Sequence, residues 1–309
     1  MELFTISFPS DCEQSQDILM SMLVKQTNRA LHKDFYAGSQ TLVQFELSDN
    51  ARIRCLAKLP DFQLKAHGDA VFKAAAEAMS EYIVAELEEG MLEAIIKRNY
   101  SCSEADLAVI QEYCHSIMYG KEWEGLGLRF VEADQKRRIA KIAEELEQYL
   151  SCCTELNLKG YTTFRLQAYR KELTEVVQYA YDEFTMEKQY QEFISLVRYF
   201  VCLQETKIDK VHLLHKGGHE FTMYNDRLQE IESKPQTDRI VAEMLESEMN
   251  MEDMVISSLI SISPKEITIH TKQPEMSVIR TIESIFDDRV TVCLQCSMCK
   301  LSLEELIRK

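Results

Sequence analysis

Three cysteines near the end of the chain have a spacing that suits a metal-binding turn. Cys293, Cys296 and Cys299 form two overlapping C-x2-C steps. A tight turn with this spacing directs several sulfur atoms towards one point, as in many zinc thiolate sites. Three thiolates leave a tetrahedral zinc ion one ligand short. We expect His270 to be the fourth ligand, because the strands that end near His270 and Leu294 are predicted to be parallel neighbours.

The same three cysteines admit two other interpretations. C-x2-C pairs often have lowered thiol pKa values, which would suit a redox role, although no thioredoxin-like pattern surrounds them. They can also be thiols packed under the last helix with no further function. Iron–sulfur binding is disfavoured, because Leu303 stands where the bacterial ferredoxin run has its fourth cysteine.

A second group of residues that could bind metal consists of His212, His215 and His219. On a strand, His212 and His215 are an odd number of positions apart and therefore face opposite sides of the sheet. His219 follows a turn and should approach only one of them. We expect all three to be surface histidines outside the cysteine site.

The sequence otherwise lacks recognisable catalytic signatures. Phosphate-binding glycine loops, a G-x-S-x-G elbow and an H-E-x-x-H pair are all absent. The net charge of −16 disfavours nucleic acid and anionic membranes as partners. The first residues do not resemble a secretory signal, and no apolar stretch approaches the ~20 residues of a membrane span. We therefore expect a cytoplasmic protein with no membrane contact, whose cysteines are thiols or metal thiolates.

Hydrophobic periodicity predicts an α+β fold that is predominantly helical. Alternating residues in 1–8, 43–47 and 52–57 indicate an N-terminal unit made of a strand and a hairpin. Between Pro60 and Pro235 the proline-free chain favours long helices, with breaks or loops near Gly90 and over 119–130. We expect an N-terminal α+β region over 1–130 and a C-terminal helical and mixed-sheet region over 131–309.

The longest predicted helix runs from about Leu166 to about Leu203. Its second half carries an apolar series that is expected to lie in the core: Phe193, Leu196, Val197, Phe200 and Val201.

The C-terminal region is expected to contain a mixed sheet with a βαβ unit. Strands over 210–215 and 219–224 flank a two-glycine turn, and 228–231 suggests a third strand. Further helices are predicted over 239–247 and 251–262, and after a capping box at 302–305. A strand over 266–270, a helix from Pro274 to about Phe286 and a strand over 289–294 make the βαβ unit, so its two strands should be parallel.

Several stretches of the C-terminal half resemble a known family. They are Phe164–Leu166, Ala180–Phe184, Met186–Phe193, Arg198–Val201, Ile260–Pro264, Ile269–His270 and Ile285–Phe286, continuing through Arg289–Val290 to the cysteines. Together they are similar to the YtxC-like family of sporulation-associated proteins, with no contribution from residues before Phe164. The family is associated with endospore-forming bacteria, and the resemblance implies no catalytic residues.

The sequence therefore predicts a non-enzymatic, sporulation-associated cytosolic protein that acts through contacts with a protein partner. Its C-terminal cysteines and His270 would hold a structural zinc ion. The alternative is a thiol-dependent redox enzyme or sensor that uses two of the three cysteines.

Overall fold

The structure, a computed structural model, describes residues 1–8, 13–31, 41–48, 51–120, 126–218, 220–231, 251–294 and 296. The chain forms two compact units, Met1–Thr185 and Met186–Lys309. The sequence predicts a boundary at residue 130 between the N-terminal and the C-terminal region. The structural division lies further along the chain because later helical residues, among them Ile142 and Leu173, belong to the first hydrophobic core.

The first unit contains a four-stranded sheet in the order β2-β3-β1-β4. Its strands are β1 (Glu2–Ser7), β2 (Val43–Ser48), β3 (Arg52–Ala57) and β4 (Glu155–Asn157). Strand β3 pairs antiparallel with both β1 and β2, which confirms the predicted strand and hairpin, while β4 pairs parallel with β1. Strand β4 was missed because three residues are too few for an alternating pattern to be recognised.

Helices make up most of the first unit. They are α1 (Glu13–Leu31), α2 (Leu64–Tyr82), α3 (Glu88–Asn99), α4 (Glu104–Tyr119), α5 (Leu126–Cys152), α6 (Leu158–Phe164) and α7 (Gln167–Leu203), whose last part belongs to the second unit. The α2–α3 junction is a turn of π-helix at Ile83–Leu87, so the helix changes there and not at Gly90. Helix α5 begins earlier than predicted, because Leu128 and Phe130 are exposed and do not follow the amphipathic pattern.

A buried polar cluster joins the helices of the first unit. Glu88 and Arg138 are almost fully buried, and Arg138 Nη1 lies 2.6 Å from Glu88 Oε2. The hydroxyls of Tyr119 and Tyr169 both donate to the Glu88 carboxylate. Burial, followed by the hydrogen bond to Glu88, raises the pKa of Tyr119 to about 12. The cluster thus connects α3, α4, α5 and α7 through one carboxylate.

We expect the Arg138→Ala substitution to lower the free energy of unfolding by about 3–5 kcal/mol, because it leaves the Glu88 carboxylate buried without its charge partner. The matched control is Arg137→Ala. Arg137 is exposed and pairs at the surface with Asp134 and Glu172, so its removal should cost about 1 kcal/mol or less. Urea denaturation followed by circular dichroism measures both changes, and equal losses would contradict a dominant role for the buried pair.

The second unit contains a four-stranded mixed sheet in the order β6-β5-β7-β8. Its strands are β5 (Ile208–Gly217), β6 (Glu220–Asn225), β7 (Pro264–His270) and β8 (Val290–Cys293). Strand β5 pairs antiparallel with β6 and parallel with β7, and β7 pairs parallel with β8. The predicted βαβ unit is confirmed, with helix α9 (Ser277–Phe286) as its crossover.

One face of this sheet packs against helices. The core combines residues of β5 and β7 with residues of α9 and of α8 (Met251–Ile262). Among the described residues, the buried members of this core are Ile194, Val201, Val211, Leu213, Met223, Val255, Leu259, Ile267, Ile269, Val278, Ile279, Ile282, Ile285 and Phe286. In the parts of the chain that the structure describes, no helix is long and apolar enough to cross a membrane.

Two predictions in this region differ from the structure or cannot be compared with it. The third strand predicted over 228–231 is reduced to one bridge between Tyr224 and Glu230, because Leu228 adopts a positive φ of 62° that interrupts extended backbone. The helices predicted over 239–247 and after Ser302 lie outside the described residues.

Candidate metal centre

The register of the two parallel strands brings His270 beside Cys293. The two residues are direct partners in the β7–β8 pair, and each is the last residue of its strand. Thr271 N donates to Cys293 O at 3.3 Å, which holds the two strand ends together. Because Ile267 and Ile269 face the core and side chains alternate along a strand, His270 lies on the opposite face of the sheet.

Three candidate ligand atoms converge at this edge. One ligand atom each from His270, Cys293 and Cys296 all lie within 4.8 Å of one another. Cys296 Sγ is 3.3 Å from His270 Nδ1, and His270 is only 4% exposed. With the usual zinc bond lengths, a tetrahedral ion separates a sulfur from a nitrogen ligand by about 3.6 Å. The three atoms are therefore close enough together that they could hold one metal ion.

The sequence named four ligands, and the structure describes three of them. His270, Cys293 and Cys296 are brought together as the strand register requires. The fourth, Cys299, lies outside the described residues.

A second histidine contacts the site from the neighbouring strand. His212 Nδ1 lies 3.0 Å from His270 Nε2, and the two rings stack with their centroids 5.3 Å apart. His212 is paired with Thr268 across β5–β7. His270 is two positions after Thr268 on β7, and the two residues therefore face the same side of the sheet. His212 lies on that same face. The expectation that His212 lies away from the site was wrong, because it considered the strand alone and not the strand that pairs with it.

The contacts of His270 use both ring nitrogens. If Nε2–H donates to His212 Nδ1, then Nδ1 of His270 keeps a lone pair directed towards Cys296. Burial lowers the pKa of His270 from its ordinary 6.5, and the nearby His212 lowers it further. Burial, followed by the charge of Lys210, also lowers the pKa of His212. Both rings are therefore neutral near pH 7, which is the form that binds metal ions.

His215 has a different role from His212. Its Nε2 donates to Gly218 O at 3.0 Å, and its Nδ1 lies 2.9 Å from Thr271 Oγ1. Gly218 has a positive φ of 61°, which suits glycine at this turn. His215 thus stabilises the β5–β6 turn, while His219 lies outside the described residues.

Comparison with known proteins identifies the family. The model of the YtxC-like family matches residues 73–291. The chain belongs to the YtxC-like family. It is also 32% identical over 208 residues to the uncharacterized protein YtxC of Bacillus subtilis (strain 168), a match that covers 66% of this chain and 70% of that protein. The family match begins well before Phe164, where the resemblance seen in the sequence began.

The family match does not cover the whole site. It includes His212 and His270 but ends two residues before Cys293. Membership of the YtxC-like family therefore supports a shared fold around the histidines, whereas the case for the cysteines depends on the geometry of this chain.

The other described cysteines of this YtxC-like protein differ in exposure. Cys55 and Cys114 are buried, whereas Cys152 and Cys202 are exposed. Burial raises the pKa of Cys55 to about 12 and that of Cys114 to about 11.

We expect alkylation at pH 8 to separate these thiols. Cys152 and Cys202 should react rapidly with iodoacetamide, whereas Cys55 and Cys114 should react only on unfolding, because burial blocks access and disfavours the reactive thiolate. Peptide mapping by mass spectrometry at successive times gives the rates. Comparable rates in the native protein for the exposed and buried pairs would contradict the assignment.

Proposed function

We propose that this protein is a non-enzymatic, cytoplasmic member of the YtxC-like family that acts through protein contacts during sporulation and carries a structural zinc site. Cys293, Cys296 and His270 would supply three ligands, and Cys299 is the candidate for the fourth. The observation that supports the site most strongly is the convergence of the three described ligand atoms within 4.8 Å.

The chemistry of these residues favours zinc over harder cations. Thiolate sulfur and imidazole nitrogen are the ligands of structural zinc sites, whereas magnesium and calcium prefer oxygen. His270 and Cys293 terminate neighbouring strands, and Cys296 follows β8 in the chain. One ion would therefore tie the chain after β8 to the end of β7. Its binding free energy would add to the stability of the second unit.

The biological part of the proposal depends on the family. The resemblance is to proteins associated with endospore-forming bacteria, and it supplies no catalytic residues. A role through a protein partner is the simplest proposal for such a protein. A pull-down from sporulating cells that recovers no specific protein would count against this part without affecting the zinc site.

A redox role is the second candidate, and one contact favours it. His270 Nδ1 lies 3.3 Å from Cys296 Sγ, close enough to accept the thiol proton. Cys293 is in the same group of atoms. Hydrogen peroxide could then oxidise the two thiols to one disulfide, with two electrons and two protons passing to the peroxide to give two water molecules.

We expect protein purified without chelator to contain one zinc ion per chain, because the three described ligands suit this metal. Inductively coupled plasma mass spectrometry measures the metal, and a thiol assay before and after chelation measures the cysteines. Zinc at one hundred times its dissociation constant should stabilise the fold by about 2.7 kcal/mol relative to the chelated protein. Metal-free protein that readily forms a Cys293–Cys296 disulfide would favour the redox role. Metal-free protein whose thiols resist oxidation would leave the cysteines as packing.

Histidine substitutions test the ligand assignment. His270→Ala should abolish stoichiometric zinc binding, because it removes a ligand. His212→Ala should weaken binding by about 10–100-fold, because the hydrogen bond from a second residue orients the ligating ring. His115→Ala is the control, since His115 is exposed and belongs to the first unit. Competition with a chromophoric chelator gives the affinities. Zinc affinity in His270→Ala equal to that of the control would remove His270 from the site.

A further inference from the structure

The part of α7 that belongs to the second unit has an exposed apolar face. Ile194 and Val201 are directed into the core of that unit. Five other large apolar side chains of the same helix segment are 58–67% exposed; they are Met186, Phe193, Leu196, Phe200 and Leu203. The sequence pattern assigns three of them, Phe193, Leu196 and Phe200, to the core. We call these five residues, with Gln189 between them, the outer stripe.

The spacing of the outer stripe is that of a coiled coil. Its positions, 186, 189, 193, 196, 200 and 203, alternate in steps of three and four residues. An apolar repeat of 3.5 residues on average keeps one side of a helix against a partner helix, whereas a helix packed on a sheet needs no such regularity on its outer side. A row of five exposed apolar side chains, interrupted once by Gln189, is also unusual for a surface with no partner.

We propose that the outer stripe binds the outer stripe of a second copy of this chain, with the two helices antiparallel. In that register Met186 lies beside Leu203 of the second copy, Gln189 beside Phe200 and Phe193 beside Leu196. Each contact then occurs twice about a two-fold axis, as in most closed dimers. The sequence of the stripe is thus complementary to itself.

Charge supports this occupant. The chain has a net charge of −16, so two copies repel each other in general. The segment 186–203, however, contains two acidic residues, Glu187 and Glu192, and two basic residues, Lys188 and Arg198, so its own charge is zero. In the antiparallel register Glu192 flanks Tyr199 of the second copy, and no like charges face each other. A strongly basic partner would find no acidic surface on this stripe.

The available area is sufficient for a dimer. Aromatic side chains bury roughly 150–250 Å² each when fully covered, so five large side chains that are more than half exposed offer on the order of 600 Å² per copy. Two copies would bury about 1,200 Å², the lower end of the range for specific protein interfaces.

The oligomeric state tests this inference. We expect the full-length protein to sediment as a dimer at roughly 100 µM in analytical ultracentrifugation, and Phe193→Glu and Phe200→Glu to shift it to monomer. Phe164→Glu is the control, because Phe164 is 73% exposed and lies outside the stripe. Circular dichroism checks that each variant is folded. A monomeric wild-type protein, or stripe variants that dimerise as the control does, would overturn the proposal.

Disulfide cross-linking tests the orientation. The double variant Met186→Cys/Leu203→Cys, made in a Cys202→Ser background, places its new thiols about 25 Å apart within one helix, too far to join. In the antiparallel dimer each new thiol faces its counterpart in the other copy, so mild oxidation should give a covalent dimer. Neither single variant should do so. Cross-linking of the single Met186→Cys variant alone would indicate a parallel pair and overturn the proposed register.

Discussion

The parallel pairing of β7 with β8 is the constraint on which the candidate site depends. Helix α9 returns the chain to the end of the sheet at which β7 begins. Strands β7 and β8 therefore run in the same direction and end at the same edge. His270 and Cys293 are paired at that edge, and the Sγ atom of Cys296, a residue that follows β8 in the chain, lies 3.3 Å from Nδ1 of the imidazole. A shift of one residue in this register would turn His270 towards the core, because side chains alternate between the two faces.

The two units satisfy their buried polar groups in different ways. In the first unit, the Glu88 carboxylate pairs with Arg138 and accepts hydrogen bonds from two tyrosine hydroxyls, so its charge is satisfied by side chains of the same unit. In the second unit, His212 occupies one nitrogen of His270, and the other nitrogen faces a thiol with a second thiol nearby. Such a set of two sulfurs and one nitrogen could hold a metal ion, and this is why we propose the ligand role here and a stabilising role for the first cluster.

The sequence predicted those features that depend on local pattern and on general rules of connection. The strand–helix–strand pattern and its parallel pairing gave the proximity of His270 and Cys293. The contribution of His212 could not be predicted in the same way, because it requires β5 to lie next to β7. The two strands are separated by 46 residues along the chain, from 218 to 263. The exposed stripe was also missed. Periodicity shows that Phe193 and Phe200 share a face, but it does not show whether that face lies in the core or outside it.

X-ray absorption at the zinc K-edge tests the central claim most directly, because it reports the atoms bound to the metal without reference to stability or activity. The account predicts a shell of sulfur atoms at about 2.3 Å and at least one nitrogen at about 2.0–2.1 Å in four-coordinate geometry. The nitrogen contribution should be lost when His270 is replaced. A shell of oxygen atoms alone, or a spectrum that is unchanged when the cysteines after β8 are replaced, would contradict it.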